Sequence, residues 1–243
     1  MLQQNFCFTK ASSRVCLKAK KNEAYKYKIT EMSLYIRKVK MSADFQIEFE
    51  KSFMERPCLY PIKQSFVKDY TISSGVITHH VDNPFLNSFI PSLVVLGLVD
   101  QESWSGDITK DPYNFEHGDL KDVSFLIDGK ISPSIPFDTD FTSAKNKDWA
   151  RAFASLFFDD LRSQTSINID YDSYITGNCL FGFTFGNPLS CSDLTFPKKL
   201  GSPRLSLVFK KATTKVYKLV MFCQFSETLC ITADRQIVRN YVL

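Results

Sequence analysis

Apolar and polar positions alternate along most of this chain, the period of a β-strand that covers one face. Residues 12–20 and 25–41 read as strands of this kind. Val15 and Leu17 stand out in the first, and Tyr25, Tyr27, Ile29, Met32, Leu34 and Ile36 in the second. The period then changes. Ser42-Ala43-Asp44 opens a helix with Ser42 as its N-cap, and the helix ends before Pro57, which restricts the residue ahead of it. Alternation returns from Tyr60 to Ser73 through Ile62, Phe66, Tyr70 and Ile72. Gly75 marks a turn, Val76-Ile77-Thr78 a further strand, and Asp82-Asn83-Pro84 a break. Residues 92–99 are apolar on both faces. Residues 122–128 form the next strand and end at Asp128-Gly129, a tight-turn pair. Residues 132–145 are a loop, and Asn146 to Leu161 is the strongest helix signal, with Trp149, Ala152, Phe153, Leu156 and Phe157 on one face. Cys179 to Phe185 is a Phe-dense strand and residues 187–203 a long loop. Strands at 204–211, 215–225 and 228–232 finish the chain, the last continuing toward Val242, with Lys211 to Thr214 turning between the first two.

Regular βαβ alternation is missing, which disfavours a parallel doubly wound sheet. The expected fold is all-β: a jelly-roll, or Greek-key, antiparallel sandwich with two short helices and long inter-strand loops. Composition supports it, because 22 Phe and 10 Tyr in 243 residues are suited to pleated, half-buried surfaces. Charge divides the chain. Residues 1–40 hold ten Lys/Arg against two Glu, and the remainder is slightly acidic. The expected organisation is therefore residues 1–41 as basic N-terminal strands, the remnant or end of a preceding jelly roll, and residues 42–243 as a jelly-roll domain. Seven scattered cysteines without a Cys-x-x-Cys pair suit a reducing compartment and small-hydrophobe roles for Cys16, Cys179 and Cys223. The N-terminus has no signal-peptide core. The longest apolar stretch, Phe89 to Val99, falls short of the roughly 20 residues that span a bilayer, so no membrane contact is expected.

Candidate chemistry is sparse. The His79-His80 pair would point to opposite strand faces and so could not ligate one metal together. His117 with Glu116 and either Asp107 or Asp111 is a conceivable ligand set with no spacing to fix it. The carboxylates Asp100, Glu102, Asp107, Asp111, Asp119, Asp122 and Asp128 are better explained as turn and cap residues than as a catalytic pair. Phe181 to Gly186 is too crowded with aromatics to cradle a phosphate, and a packed strand with a tight bend accounts for it better. No phosphate loop, nucleophile elbow or zinc helix occurs. No catalytic, cofactor-binding or metal-binding residue is assigned, no cofactor is expected, and the chain reads as a non-enzyme. The arm from Lys10 to Lys40 interleaves cations with Tyr25, Tyr27 and Tyr35, a pattern able to make weak nucleic-acid contacts.

One stretch is more distinctive. Val95 to Asp100, Ser105-Gly106-Asp107, Asp111-Pro112-Tyr113-Asn114-Phe115, Ile127-Asp128-Gly129 and Asp140-Phe141 resemble the major capsid protein, or hexon, of Maverick/Polinton elements and the related adintoviruses. Leu34 to Lys40, Tyr60-Pro61-Ile62, Arg151 to Phe157 and Phe225 to Val238 extend the likeness over residues 34–243. The chain departs from the pattern at Phe158 to Leu161, where a glycine-rich turn would stand, and around Pro91. The resemblance implies the C-terminal portion of a double jelly-roll capsid subunit, as a fragment, a decayed endogenous copy or a short version. It also implies homotrimeric capsomers tiling an icosahedral shell beside other capsid proteins. Localisation would be the virion, after assembly in the host cytoplasm or nucleus and without secretion. Trp104, Tyr113 and Phe115 are candidate subunit anchors, or else fold back on their own roll. The rival readings are a non-viral jelly-roll module binding carbohydrate or protein, and a cupin-like enzyme, which the scarcity of histidine disfavours.

Overall fold

A computed structural model describes residues 5–20, 25–85, 89–142, 149–157, 169–185 and 199–239. Among the described residues nine strands carry the fold: β1 (Cys58–Ile72), β2 (Thr78–Asp82), β3 (Leu93–Asp100), β4 (Leu120–Ile127), β5 (Lys130–Ser132), β6 (Leu180–Thr184), β7 (Pro203–Phe209), β8 (Tyr217–Ile231) and β9 (Ile237–Arg239). Five short helices accompany them: α1 (Ser13–Cys16), α2 (Ala43–Glu55), α3 (Gln101–Trp104), α4 (Ala150–Ser155) and α5 (Tyr171–Ile175).

The pairing follows one rule. β4 pairs with β5 across the Asp128-Gly129 turn, then β3 with β6, β2 with β7, and β1 with β8, all antiparallel. The chain thus behaves as one long hairpin whose tip is that turn. Both turn residues have positive φ, 49° and 79°, as a tight hairpin turn of the primed type requires. Rolling the hairpin up brings β8 beside β3 and β7 beside β4. Two sheets result, ordered β1-β8-β3-β6 and β2-β7-β4-β5, with β9 added to β8. The fold is a jelly roll.

The core fills the space between the sheets. Leu96, Leu98, Phe181, Leu219 and Met221 from one sheet meet Val123, Phe125, Leu205, Leu207 and Phe209 from the other. Phe125 is the hub, with ring centroids 4.9 Å from Phe183 and 5.4 Å from both Phe85 and Phe185. β3 is buried on both faces, as its unbroken apolar run implied. The inner face is core, and Phe115 folds back onto the outer side, where a Cβ on Gly97 would lie 2.5 Å from its ring.

Several sequence expectations need correction. Residues 25–41 form no strand, and residues 12–20 contain only the single turn of α1. Alternation there had no neighbouring strand to pair with. The expected strands at 215–225 and 228–232 are one continuous strand, β8, in register with all fifteen residues of β1. The strand placed at Val76 begins at Thr78. The helix expected over Asn146 to Leu161 spans Ala150–Ser155 in the described residues; 143–148 and 158–168 lie outside them, as do 186–198 of the long loop. Helices α3 and α5 carry no long apolar periodicity and were not foreseen.

Candidate assembly surface

The roll buries most of its apolar side chains, leaving Ile77, Ile131, Ile135 and Leu200 exposed, but the segment leading into it exposes a denser set. Six side chains between residues 29 and 39 (Ile29, Met32, Leu34, Tyr35, Ile36 and Val39) are each more than half exposed, Tyr35 at 93% and Val39 at 83%. No hydrogen bond joins residues 29–41 to the rest of the described protein. Scattered surface leucines are ordinary, but six exposed large apolar side chains within eleven residues mark a segment awaiting a cover.

Helix α2 continues this surface. Ser42 caps it as expected, its side chain accepting the Phe45 N–H at 3.4 Å. Phe45, Phe49 and Phe53 recur every fourth residue and stack along the helix, with centroids 6.5 and 6.2 Å apart. Only Phe53 is buried; Phe45, Ile47, Phe49 and Met54 remain exposed. An ion pair of 3.0 Å between Arg235 and Glu50 ties α2 to the turn between β8 and β9. Next along the chain, the first half of β1 leaves the core with Leu59 and Tyr60 exposed, and Val67 is exposed further on. The charges are opposed: residues 25–41 hold five Lys/Arg and one Glu, whereas α2 holds Asp44, Glu48, Glu50 and Glu55 against Lys51.

The sequence-flagged polar residues are not gathered into one centre. On β2, His79 is half-buried and His80 exposed, on opposite faces. Burial, with His80 adding to it, lowers the His79 pKa. The Nδ1 of His117 accepts the Asp119 N–H at 3.0 Å, and its ring stacks on Phe141 at 4.6 Å. Glu116 is bound to Lys215 at 2.8 Å. Asp107 accepts both the N–H and the hydroxyl of Thr109, and Asp111 accepts the Tyr113 N–H at 2.9 Å, the local turn bonding expected of them. Asp122 accepts the Phe137 N–H and Asp128 the Ser202 N–H. Among the described residues no cluster of three or more His, Cys, Asp or Glu is arranged to hold a metal ion. Of the candidate anchors, Phe115 is folded back, Trp104 is partly covered, and Tyr113 is 70% exposed.

One network escaped the sequence reading. Asp100 meets Lys110 at 2.9 Å and Lys215 at 3.3 Å, and Lys110 also bonds Glu102. Burial pushes the Asp100 pKa up, but Lys110, the Glu102 N–H and Lys215 together hold it below the ordinary carboxylate value. Lys215 arrives from the β7–β8 connection, far along the chain, so no local motif announces it. The network pins the α3 end of β3 to the start of β8.

No protein-family model matches the chain, and no curated protein matches it either. Among solved structures it resembles PBCV-1 VP54 as fitted into a reconstruction of the virophage Sputnik, with a TM-score of 0.48 and 12% identity over 84% of this chain and 55% of that one. It also resembles the PBCV-1 virus capsid (TM-score 0.44, 11% identity, 77% and 52% covered) and the mavirus major capsid protein (0.35, 10%, 77% and 42%). The chain spans about half the length of the first two of these. No helix among the described residues is long and apolar enough to cross a membrane.

Proposed function

We propose that this protein is a structural virion protein: the jelly-roll portion of a double jelly-roll major capsid protein of the Maverick/Polinton type, assembling as homotrimeric capsomers in an icosahedral shell. The observation that carries the reading is a jelly roll whose densest set of exposed apolar side chains lies in residues 29–60. Two face-to-face sheets make a stiff wall. The arm, α2 and the outer half of β1 supply adhesion to neighbouring subunits or to a companion roll. Residues 1–41 belong, on this reading, to the end of a preceding jelly roll, and the sequence resemblance over residues 34–243 supports the same assignment. Covering the six arm side chains, which together leave about four side chains' worth of surface open, would supply about 6–12 kcal/mol gross before the cost of ordering. Assembly asks for no turnover and no cofactor. The protein works in the virion and is assembled inside the host cell with other capsid proteins. The basic side of the arm, including Lys38, Lys40 and Arg37, is left to make weak contacts with packaged nucleic acid.

Light scattering on the purified chain tests this. The full chain should have a trimer's mass, alone or joined to an upstream roll. Deletion of residues 1–41 should give a folded monomer. A full chain that stays monomeric in both settings would refute the proposal.

A further inference from the structure

Helix α2 carries a second apolar face that its own roll leaves open. Ile47 and Met54, 57% and 68% exposed, line a groove of about 540 Å³ together with Ala43 and Gln46. At about 3.6 residues per turn, this face lies across the helix from the stacked Phe45 and Phe49. Asp44, Glu48 and Glu55 are all exposed, and their spacing puts them in one acidic stripe along a side of the groove. Lys51 is the only cation within α2, and Glu50 is already bonded to Arg235, so the face is net acidic.

A partner for such a face must be apolar and basic together, and the segment ahead of α2 has that chemistry. In an extended run, alternate side chains face one way. Met32, Leu34, Ile36, Lys38 and Lys40 then share one edge, three apolar positions followed by two cations, all exposed. Residues 32–40 in extended form reach over about 30 Å and α2 is about 20 Å long, so the run can cover the helix. The arm is held away from its own helix. At its start, the Tyr27 hydroxyl donates to the Ala11 carbonyl at 2.7 Å and Lys10 donates to the Tyr27 carbonyl at 2.8 Å. The Ala19 N–H donates to the Ile108 carbonyl at 2.9 Å, which ties this end to the loop between α3 and β4. At its other end, Ser42 enters α2 in extended conformation, φ −65° and ψ 155°, and caps it. Lys38 and Lys40 thus stand ahead of the first turn, while Glu48 and Glu55 lie about 9 and 20 Å beyond the cap along the axis.

We propose that the arm of one copy lies along the α2 groove of the next, with Met32, Leu34 and Ile36 over Ile47 and Met54, and Lys38 and Lys40 over the acidic stripe. The contact joins unlike surfaces, so it can close copies into a ring, as a trimer requires. It rests on the capsid reading, whose subunit contact it specifies, and it leaves Arg37 on the other edge for nucleic acid. The test is light scattering of the full chain over a concentration series. Glu48→Lys with Glu55→Lys should raise the dissociation constant about tenfold, as should Lys38→Glu with Lys40→Glu, the order expected when two exposed attractions become repulsions. All four substitutions together should return it to near the parent value. These positions are exposed, so circular dichroism and the melting temperature should not move. An equal mixture of the two double variants should assemble better than either alone, because each finds its complement on the other chain. A contact within one chain would gain nothing from mixing. Assembly indifferent to both reversals, or a mixture no better than its components, would overturn the inference and leave the capsid reading standing. A full chain that never assembles would overturn both.

Discussion

Adding a methyl group to Gly182 would put its carbon 2.6 Å from the Ser155 carbonyl oxygen, 3.1 Å from that carbonyl carbon and 3.4 Å from the Leu156 Cα. All three atoms are backbone at the end of α4, so no side-chain rotation relieves the overlap. The backbone of Gly182 is not in the positive-φ region, and the position requires space rather than conformational freedom. The contact is also bonded: the Gly182 N–H donates to Ser155 Oγ at 3.0 Å, and that hydroxyl donates to the Ala152 carbonyl at 2.6 Å. Gly182→Ala must therefore push α4 off β6. Overpacking costs about 1–3 kcal/mol and the strained hydrogen bond about 1 more, giving about 2–4 kcal/mol in total. For a chain of this size that lowers the melting temperature by roughly 5–15 °C. Urea unfolding at constant slope gives the free energy, and Gly129 serves as the control. Gly129 has φ +79° and nothing within 4 Å of a Cβ, so its alanine variant suffers only from backbone handedness, about 1–2 kcal/mol. Asparagine, which tolerates that handedness, should recover much of the loss at 129 and make matters worse at 182. A Gly182→Ala protein within about 1 kcal/mol of the parent, or one improved by asparagine, would refute the steric account.

Two further outcomes follow from the charges and thiols. The folded-state pKa of Asp100 is depressed, as is that of Asp140, chiefly through Lys210 and with Thr142 adding to it. Their stabilisation is complete above the unfolded carboxylate value near about pH 4 and is lost as pH falls below it. Thermal melts should drop through that window, and Asp100→Asn should flatten the drop; an unchanged slope would contradict the role given to Lys110 and Lys215. Burial pushes the Cys179 and Cys223 thiols up to about 12, whereas Cys7 and Cys16 are exposed. Peptide mapping after native alkylation should find label on Cys7 and Cys16 and, until denaturant is added, none on Cys179 or Cys223.

Local chemistry was legible where the fold uses it locally. The Ser42 cap, the Asp128-Gly129 turn and the doubly buried β3 all stood in the sequence, because each depends on neighbours within a few residues. The unity of β8 did not. Ser226 and Glu227 break its apolar alternation and read as a gap. In the structure they face Lys63 and Ile62 on the part of the β1–β8 ribbon that runs beyond the core, where polar side chains cost little. The alternation of Tyr25 to Ile36 misled in the opposite sense. Such a pattern says that a face needs covering and is silent about who covers it. Turn bonding by Asp107 and Asp111 was likewise readable, while the Lys215 bridge to Asp100 and Glu116 depends on how β7 and β8 are joined.

Strand β1 presents an open edge, and open edges invite fibrils as readily as they invite partners. Among the described residues no strand pairs with its outer side. Pro61 has no N–H to offer an incoming strand, and Lys63 and Asp69 set charge along the same border. Growth by endless strand addition is thereby discouraged along this edge. What is left for a partner at this border is contact through the faces of the sheets rather than through an extended ladder.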